Sequence, residues 1–177
     1  MDITRIFKVM YRRNQIRRGL KIGKNVYLSD SAVIDHEYCW LVTIGDDSII
    51  SSNVVILCHD SSPSTHTGIH KIGKVTIGCR TYIGAETIIL PGVSIGNDVI
   101  VGAGSVVTKN IPDNSVAAGN PARVIESISI FVEKYESRQQ QAEVVRLKWQ
   151  KLRSAEGRNK IEEALAKNDI CYLSLSY

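Results

Sequence analysis

Phenylalanine occurs twice and leucine ten times in this 177-residue chain, against 23 isoleucines and 17 valines. Helix bundles lean on leucine and β-branched residues favour strands, so this scarcity excludes an all-helical core before any pattern is read. Long apolar runs are also missing. None approaches the roughly 20 residues of a membrane span, and the basic N-terminus lacks the apolar stretch of a signal peptide. Cys39, Cys58, Cys79 and Cys171 include no CxxC pair, which points to reduced thiols in a cytoplasm. The runs GxGxxG and GxxxxGK(S/T) are absent too, so neither a dinucleotide-binding turn nor a P-loop is indicated. What is present, 44% hydrophobic and 23% charged residues, suffices to bury a core and excludes a disordered chain.

Charge and glycine divide the chain into three. Residues 1–24 hold eight Lys/Arg against the single acid Asp2, a net of +7, which leaves −3 on the remainder. Eleven of the 13 glycines and 29 of the 40 Ile/Val fall within 22–125. Beyond 125 the sequence turns to Glu, Lys, Arg and Gln. Residues 1–20 read as a basic amphipathic helix with Ile3, Ile6, Val9 and Met10 on one face. Such a helix either caps the open end of a repeat array or is drawn to an anionic membrane surface. Residues 126–153 read as a second helix, with Ile128, Phe131, Tyr135, Ala142, Val145, Trp149 and Leu152 at heptad spacing. Residues 154–177 carry no legible pattern.

The middle section repeats. From Ile77 every sixth residue is a β-branched aliphatic: Ile83, Ile89, Ile95, Val101, Val107. Four of these six are followed by glycine: Gly78, Gly84, Gly96, Gly102. The series Ile22, Leu28, Ile34 and then Ile44, Ile50, Ile56 keeps the step, except for a four-residue insertion near Trp40. Between Ile56 and Ile77 the period fails, so 60–73 is expected to project as a loop. Six fits neither the 3.6-residue helix nor a two-residue strand alternation. It fits a three-sided prism of short strands with one aliphatic per side pointing to the axis. The glycine then relieves crowding or takes φ > 0 at a corner. Three sides make a coil of roughly 18 residues, and successive coils stack about 4.8 Å apart. The array 22–39, 44–61 and 77–112 therefore makes four coils.

These hexads, and above all the run IGCRTYIGAETIILPGVSIGNDVIVGAGSVVTKNIPDNSVAAGNPARVI over 77–125, resemble the hexapeptide-repeat acyltransferases. The likeness is to the galactoside/maltose type and to polysaccharide-pathway sugar O-acetyltransferases. It covers about 22–125 and implies a mainly β fold, a left-handed parallel β-helix assembled as a homotrimer with active sites between subunits. The expected organisation is a basic N-terminal helix (1–20), the β-helix (21–125, with loop 60–73) and a C-terminal helical extension (126–177).

Acyl transfer from a thioester to a hydroxyl needs a base, a held donor and hydrogen-bond donors for the oxyanion. The bases suited to neutral pH are His36, His59, His66 and His70. His59 stands in LCHDSS, where the regular hexads end, the place of the catalytic histidine in the resembling family. Asp60 beside it is the candidate to orient the imidazole. His66 and His70 read as exposed loop residues. A zinc site of the kind seen in gamma carbonic anhydrases of similar fold is not expected, and no metal is assigned. On the acceptor side the family's asparagine position falls nearest Ser31, and Asp35 lies near its acidic pair. The missing asparagine argues against a plain galactoside or maltose acceptor.

On the donor side the resemblance assigns acetyl-CoA as cosubstrate. Tyr82, Gly84, Ala85, Ala103 and Thr108 then line the pantetheine path, with an oxyanion contact from a main-chain N–H near Ala85. Lys109 and Arg123 approach the phosphates. The expectation is an acetyl-CoA-dependent O-acetyltransferase acting on a saccharide in cell-surface polysaccharide assembly. It would be cytoplasmic, a homotrimer, without a nucleic-acid partner, and a candidate for peripheral membrane association through residues 1–20. Amino-sugar N-acetylation or acetylation of an antibiotic on the same fold stay open, as does a non-catalytic solenoid.

Overall fold

A computed structural model describes residues 3–141, 143–167 and 170–176. The chain forms two compact units, one ending at Ile128 and one beginning at Ser129. The first opens with helix α1 (Ile3–Arg17) and then winds through short strands. Coil one holds β1 (Lys21–Ile22), β2 (Tyr27–Leu28) and β3 (Val33–Ile34). Coil two holds β4 (Val42–Ile44), β5 (Ile49–Ile50) and β6 (Val55–Ile56). An excursion follows, made of β7 (His59–Asp60), the single-turn α2 (Ser64–Thr67) and β8 (Lys71–Ile72). Strands β7 and β8 pair antiparallel, so the segment leaves and rejoins the array through one clamp. Coil three holds β9 (Val75–Ile77), β10 (Tyr82–Ile83) and β11 (Ile88–Ile89). Coil four holds β12 (Ser94–Ile95), β13 (Ile100–Val101) and β14 (Val106–Val107). β15 (Ser115–Gly119) adds a fifth layer on one side, and β16 (Ala122–Ser127) folds back antiparallel on it.

Three parallel sheets result, one per prism side: β1-β4-β9-β12, β2-β5-β10-β13-β15 and β3-β6-β11-β14. The aliphatics at hexad spacing are the axis: Ile34, Ile44, Ile50, Ile56, Ile77, Ile83, Ile89, Ile95, Val101 and Val107 are all buried. The glycine that follows an aliphatic serves close approach. A Cβ on Gly78 would lie 2.5 Å from the backbone of Gly96 one coil on. Left-handed φ falls two residues later, at Asn25, Asp47, Arg80 and Asp98, three of them Asn or Asp, which tolerate it. Arg80 is also held by two hydrogen bonds to Asp98, at 2.7 and 2.6 Å.

The residue before each axial aliphatic points outward, and its character follows the side. It is Lys21, Thr43, Thr76 and Ser94 on the first side, and Tyr27, Ile49, Tyr82 and Ile100 on the second. On the third it is Val33, Val55, Ile88 and Val106. Two of the three outer faces are thus apolar.

Helix α1 does not bury the apolar face that the sequence suggests. Phe7 and Met10 are 65% and 60% exposed, and Val9 is exposed as well, while Gln15 is fully buried; the side chains of Ile3 and Ile6 lie outside the described residues. The helix holds coil one by polar bonds. Arg12 donates to Ala32 O at 2.9 Å and Gln15 to Ile34 O at 3.0 Å. These carbonyls belong to the open edge of coil one on the third side, which would otherwise present open acceptors.

The second unit differs from a helical extension. Its helix α3 (Ile128–Gln141) stops short of the expected residue 153, and Val144–Lys148 is strand β17. Ala142 lies outside the described residues. Val145 and Leu147 point inward and Arg146 and Lys148 outward, a two-residue alternation that overrides the heptad reading. Helix α4 (Ala155–Leu165) connects β17 to strand β18 (Tyr172–Ser176), which pairs parallel with it. Val145, Leu147 and Ala164 form a small core of their own.

Candidate active site

The turn from the third side of the prism back to the first is one corner, and it stacks from coil to coil. Asp35 occupies it in coil one and His59 in coil two. His59 Nδ1 lies 2.6 Å from Asp35 Oδ2. The carboxylate is fully buried, whereas the imidazole is 36% exposed. A carboxylate acceptor places the imidazole proton on Nδ1 and leaves the Nε2 lone pair free to accept another.

Asp35 is held from three directions. Its Oδ2 also accepts from Cys58 N at 2.9 Å, and its Oδ1 from Tyr38 N at 3.0 Å. Burial by itself pushes this carboxyl up, but the Cys58 N–H, the His59 imidazole and the Tyr38 N–H outweigh it and hold it below its ordinary value. Cys58, between the pair and the core, is no competing nucleophile. Burial, with the Asp35 charge beside it, pushes the thiol up to about 12, so it stays protonated at neutral pH.

Asp60 does not orient His59. Its Oδ1 accepts from Ser62 N at 2.9 Å, a local turn, and this bond chiefly lowers its exposed carboxyl. Neighbourhood along the chain suggested Asp60; the stacking of coils supplies Asp35 instead. The signal was in the sequence: Asp35 precedes Leu57 by one coil plus the four-residue insertion, which puts both at the same corner. Tyr38 was also missed. Its ring centroid is 5.3 Å from that of His59 and 5.5 Å from that of Trp40. His66 and His70 lie in the excursion, exposed, with His70 Nδ1 3.0 Å from Ser61 Oγ.

Gly84, Ala85, Ala103, Ser31 and Arg123 stand at a different corner, between the second and third sides. There Gly104 N donates to Ala85 O at 2.8 Å, which stacks the Ala85 and Ala103 turns. Gly84 is buried, and a Cβ on it would meet Ala103 N at 2.5 Å, so the corner stays thin. Ser31 stands at the foot of the same corner, accepting from Asn53 N at 3.0 Å, apart from Asp35. Arg123 lies above it on β16, opposite Ala118 of β15. Tyr82 is exposed on the adjoining second side. Thr108 and Lys109, both exposed, follow β14 and so share the His59 corner two coils on. Within one chain the base and the small-residue path therefore sit on opposite edges of the third side. A separate groove of about 730 Å³ runs between α1 and coil one, lined by Phe7, Ile16, Leu28 and Val33 among others.

Two family models match: "Bacterial transferase hexapeptide (six repeats)" over residues 74–109 and "Hexapeptide repeat of succinyl-transferase" over 19–58. The galactoside O-acetyltransferase of Escherichia coli K12 is 40% identical over 116 residues, 63% of this chain and 55% of that protein. The chain thus spans little more than half the length of that curated relative. A maltose O-acetyltransferase from Clostridium difficile 630 is 30% identical, with 70% of this chain and 83% of that one covered and a TM-score of 0.51. A galactoside acetyltransferase solved in complex with coenzyme A is 28% identical, with 66% and 69% covered and a TM-score of 0.54.

The depressed Asp35 carboxyl has a consequence for stability. Its contribution is fully present above the ordinary value of 3.8 and is lost as the pH falls through the lower folded value. In urea unfolding, the stability advantage of wild type over Asp35→Asn is expected to shrink as the pH falls below about 4. An advantage that persists undiminished well below that pH would contradict the charge assignment.

Proposed function

Because the chain belongs to the hexapeptide-repeat acyltransferase superfamily, we propose that it transfers an acetyl group from acetyl-CoA to a sugar hydroxyl, with His59 as general base. The observation that carries this reading is the buried Asp35 carboxylate on His59 Nδ1. Nε2 takes the proton of the acceptor hydroxyl as its oxygen attacks the thioester carbonyl. The developing oxyanion meets a main-chain N–H at Ala85. Collapse releases the CoA thiolate, which regains the proton from the imidazolium. Asp35 stabilises that imidazolium and fixes the tautomer, a role in place of the acceptor contact expected for it. With Cys58 held as a thiol, transfer is direct. Lys109 and Arg123 are the contacts for the CoA phosphates. The likeness of 77–125 to polysaccharide-pathway enzymes supports a saccharide of cell-surface assembly as acceptor, and family membership supports a left-handed coil sense.

With labelled acetyl-CoA and a saccharide panel, His59→Ala should lower kcat by roughly 10²–10⁴-fold and leave CoA affinity nearly intact. Asp35→Asn should do the same, whereas Asp60→Asn should stay near wild type. Lys109→Ala should weaken CoA binding. Full turnover by the His59 variant would sink the assignment.

The separation of the two half-sites supports a homotrimer. If His59 of one subunit meets the Ala85–Ala103 corner of the next, the third side of each prism faces the three-fold axis. Its outward residues, Val33, Val55, Ile88 and Val106, are all β-branched and apolar, as a buried interface requires. His59→Ala and Ala103→Trp subunits, each inactive alone, should regain transfer when co-expressed, because mixed trimers bring an intact base to an intact corner. No recovery in mixed trimers would place the site within one subunit.

No described helix is long and apolar enough to cross a membrane. Helix α1 nevertheless leaves Phe7 and Met10 exposed in a segment of net charge +7, which supports docking on an anionic bilayer surface. Wild type should co-sediment with phosphatidylglycerol vesicles and not with phosphatidylcholine alone. Retained binding by Phe7→Glu/Met10→Glu would contradict this role for the helix.

A further inference from the structure

The four-residue insertion that breaks the hexad period near Trp40 has a structural product. It carries Asp35 to Leu41 round the His59 corner in a wide turn ending in the 3₁₀ segment Cys39–Leu41. Tyr38 and Trp40 come from this turn. The three rings of His59, Tyr38 and Trp40 form a continuous series, with centroids 5.3 and 5.5 Å apart and planes tilted by 49° and 54°.

The series is anchored. Tyr38 N donates to Asp35 Oδ1, so the carboxylate that sets the imidazole also sets the turn. The Tyr38 ring is half-buried against the core cluster. A Cβ on Gly19, two residues past α1, would lie 2.9 Å from the Cβ of Trp40, so the backbone there closely approaches the base of this side chain. Yet Trp40 remains 46% exposed. Large aromatic side chains usually bury most of their area. Here a tryptophan side chain is closely approached at its base and open beyond it, one ring removed from the group that must receive a proton from the acceptor.

We infer that Tyr38 and Trp40 form a carbohydrate subsite, an aromatic shelf that takes the C–H face of a pyranose ring while a hydroxyl of the acceptor reaches His59 Nε2. This rests on the proposed saccharide transfer and narrows its acceptor to a sugar with one face free of axial hydroxyls. A pyranose is polar at its rim and apolar over such a face. An aromatic platform beside hydrogen-bonding groups matches both properties. A hydroxyl within about 3 Å of Nε2 belongs to a ring only a few ångströms wide, so the acceptor ring has to lie near this aromatic series.

The chain's two tryptophans, Trp40 and Trp149, make the shelf directly observable. In a Trp149→Phe background the emission of Trp40 should change saturably on titration with the saccharide best acetylated by the wild type, or with each panel sugar if none is acetylated. In transfer assays Trp40→Leu should raise acceptor KM by about threefold to tenfold and leave CoA affinity unchanged. Trp40→Phe should keep most of the affinity, and circular dichroism should show the variants folded. Acetyl transfer without any response of Trp40, or an unchanged acceptor KM in Trp40→Leu, overturns the shelf and leaves the transferase reading standing. A saturable response without transfer supports the shelf and counts against the transferase reading. Neither response nor transfer overturns both. A Trp40 emission that shifts only when subunits dissociate assigns the indole to the subunit interface and likewise overturns the shelf.

Discussion

Main-chain hydrogen bonding between successive coils is the constraint on which the rest depends. Each short strand is too small to be stable alone and takes its partners from the coils above and below. Val33 N donates to Val54 O and Val55 N to Thr87 O, both at 2.8 Å, continuing the same wall. The ladder fixes which residues stack. Because side chains alternate across a strand, a slip of one residue would turn every axial isoleucine outward. The corners therefore stand in columns, and residues far apart in sequence meet when they share one.

The candidate site uses this stacking to solve an electrostatic problem. A carboxylate buried without partners would be strongly disfavoured. Asp35 is buried at a corner where two main-chain N–H groups and an imidazole converge. The charge is thus retained and directed at His59. The same burial leaves Cys58 a thiol. One corner therefore supplies a base with a defined tautomer and silences the nearest alternative nucleophile.

The prism also bears on the proposed assembly. His59 and the Ala85–Ala103 turns lie at different corners, and a rigid coil cannot bring one corner to another. In the proposed trimer two copies would do so, with the apolar third side between those corners as the surface of association. Helix α1 follows a similar logic in reverse. It spends its polar side chains on the open edge of coil one and leaves Phe7 and Met10 unburied.

The sequence by itself determined the repeat. Six-residue spacing of β-branched aliphatics leaves one compact arrangement, and the four coils appear with the expected axial residues. It also marked His59, because the period stops there, and marked the excursion at 60–73. The heptad reading of 126–153 failed because a strand needs its partner to be recognised, and that partner, Tyr172–Ser176, lies beyond a stretch without a pattern. Tertiary structure alone decided what orients His59. Asp60 is adjacent in sequence, but its carboxylate closes its own turn onto Ser62. Asp35 is 24 residues away and one coil below, and the coil ladder sets it within 2.6 Å. Spacing in sequence fixes the column a residue occupies; only the folded path of the insertion decides which way it faces.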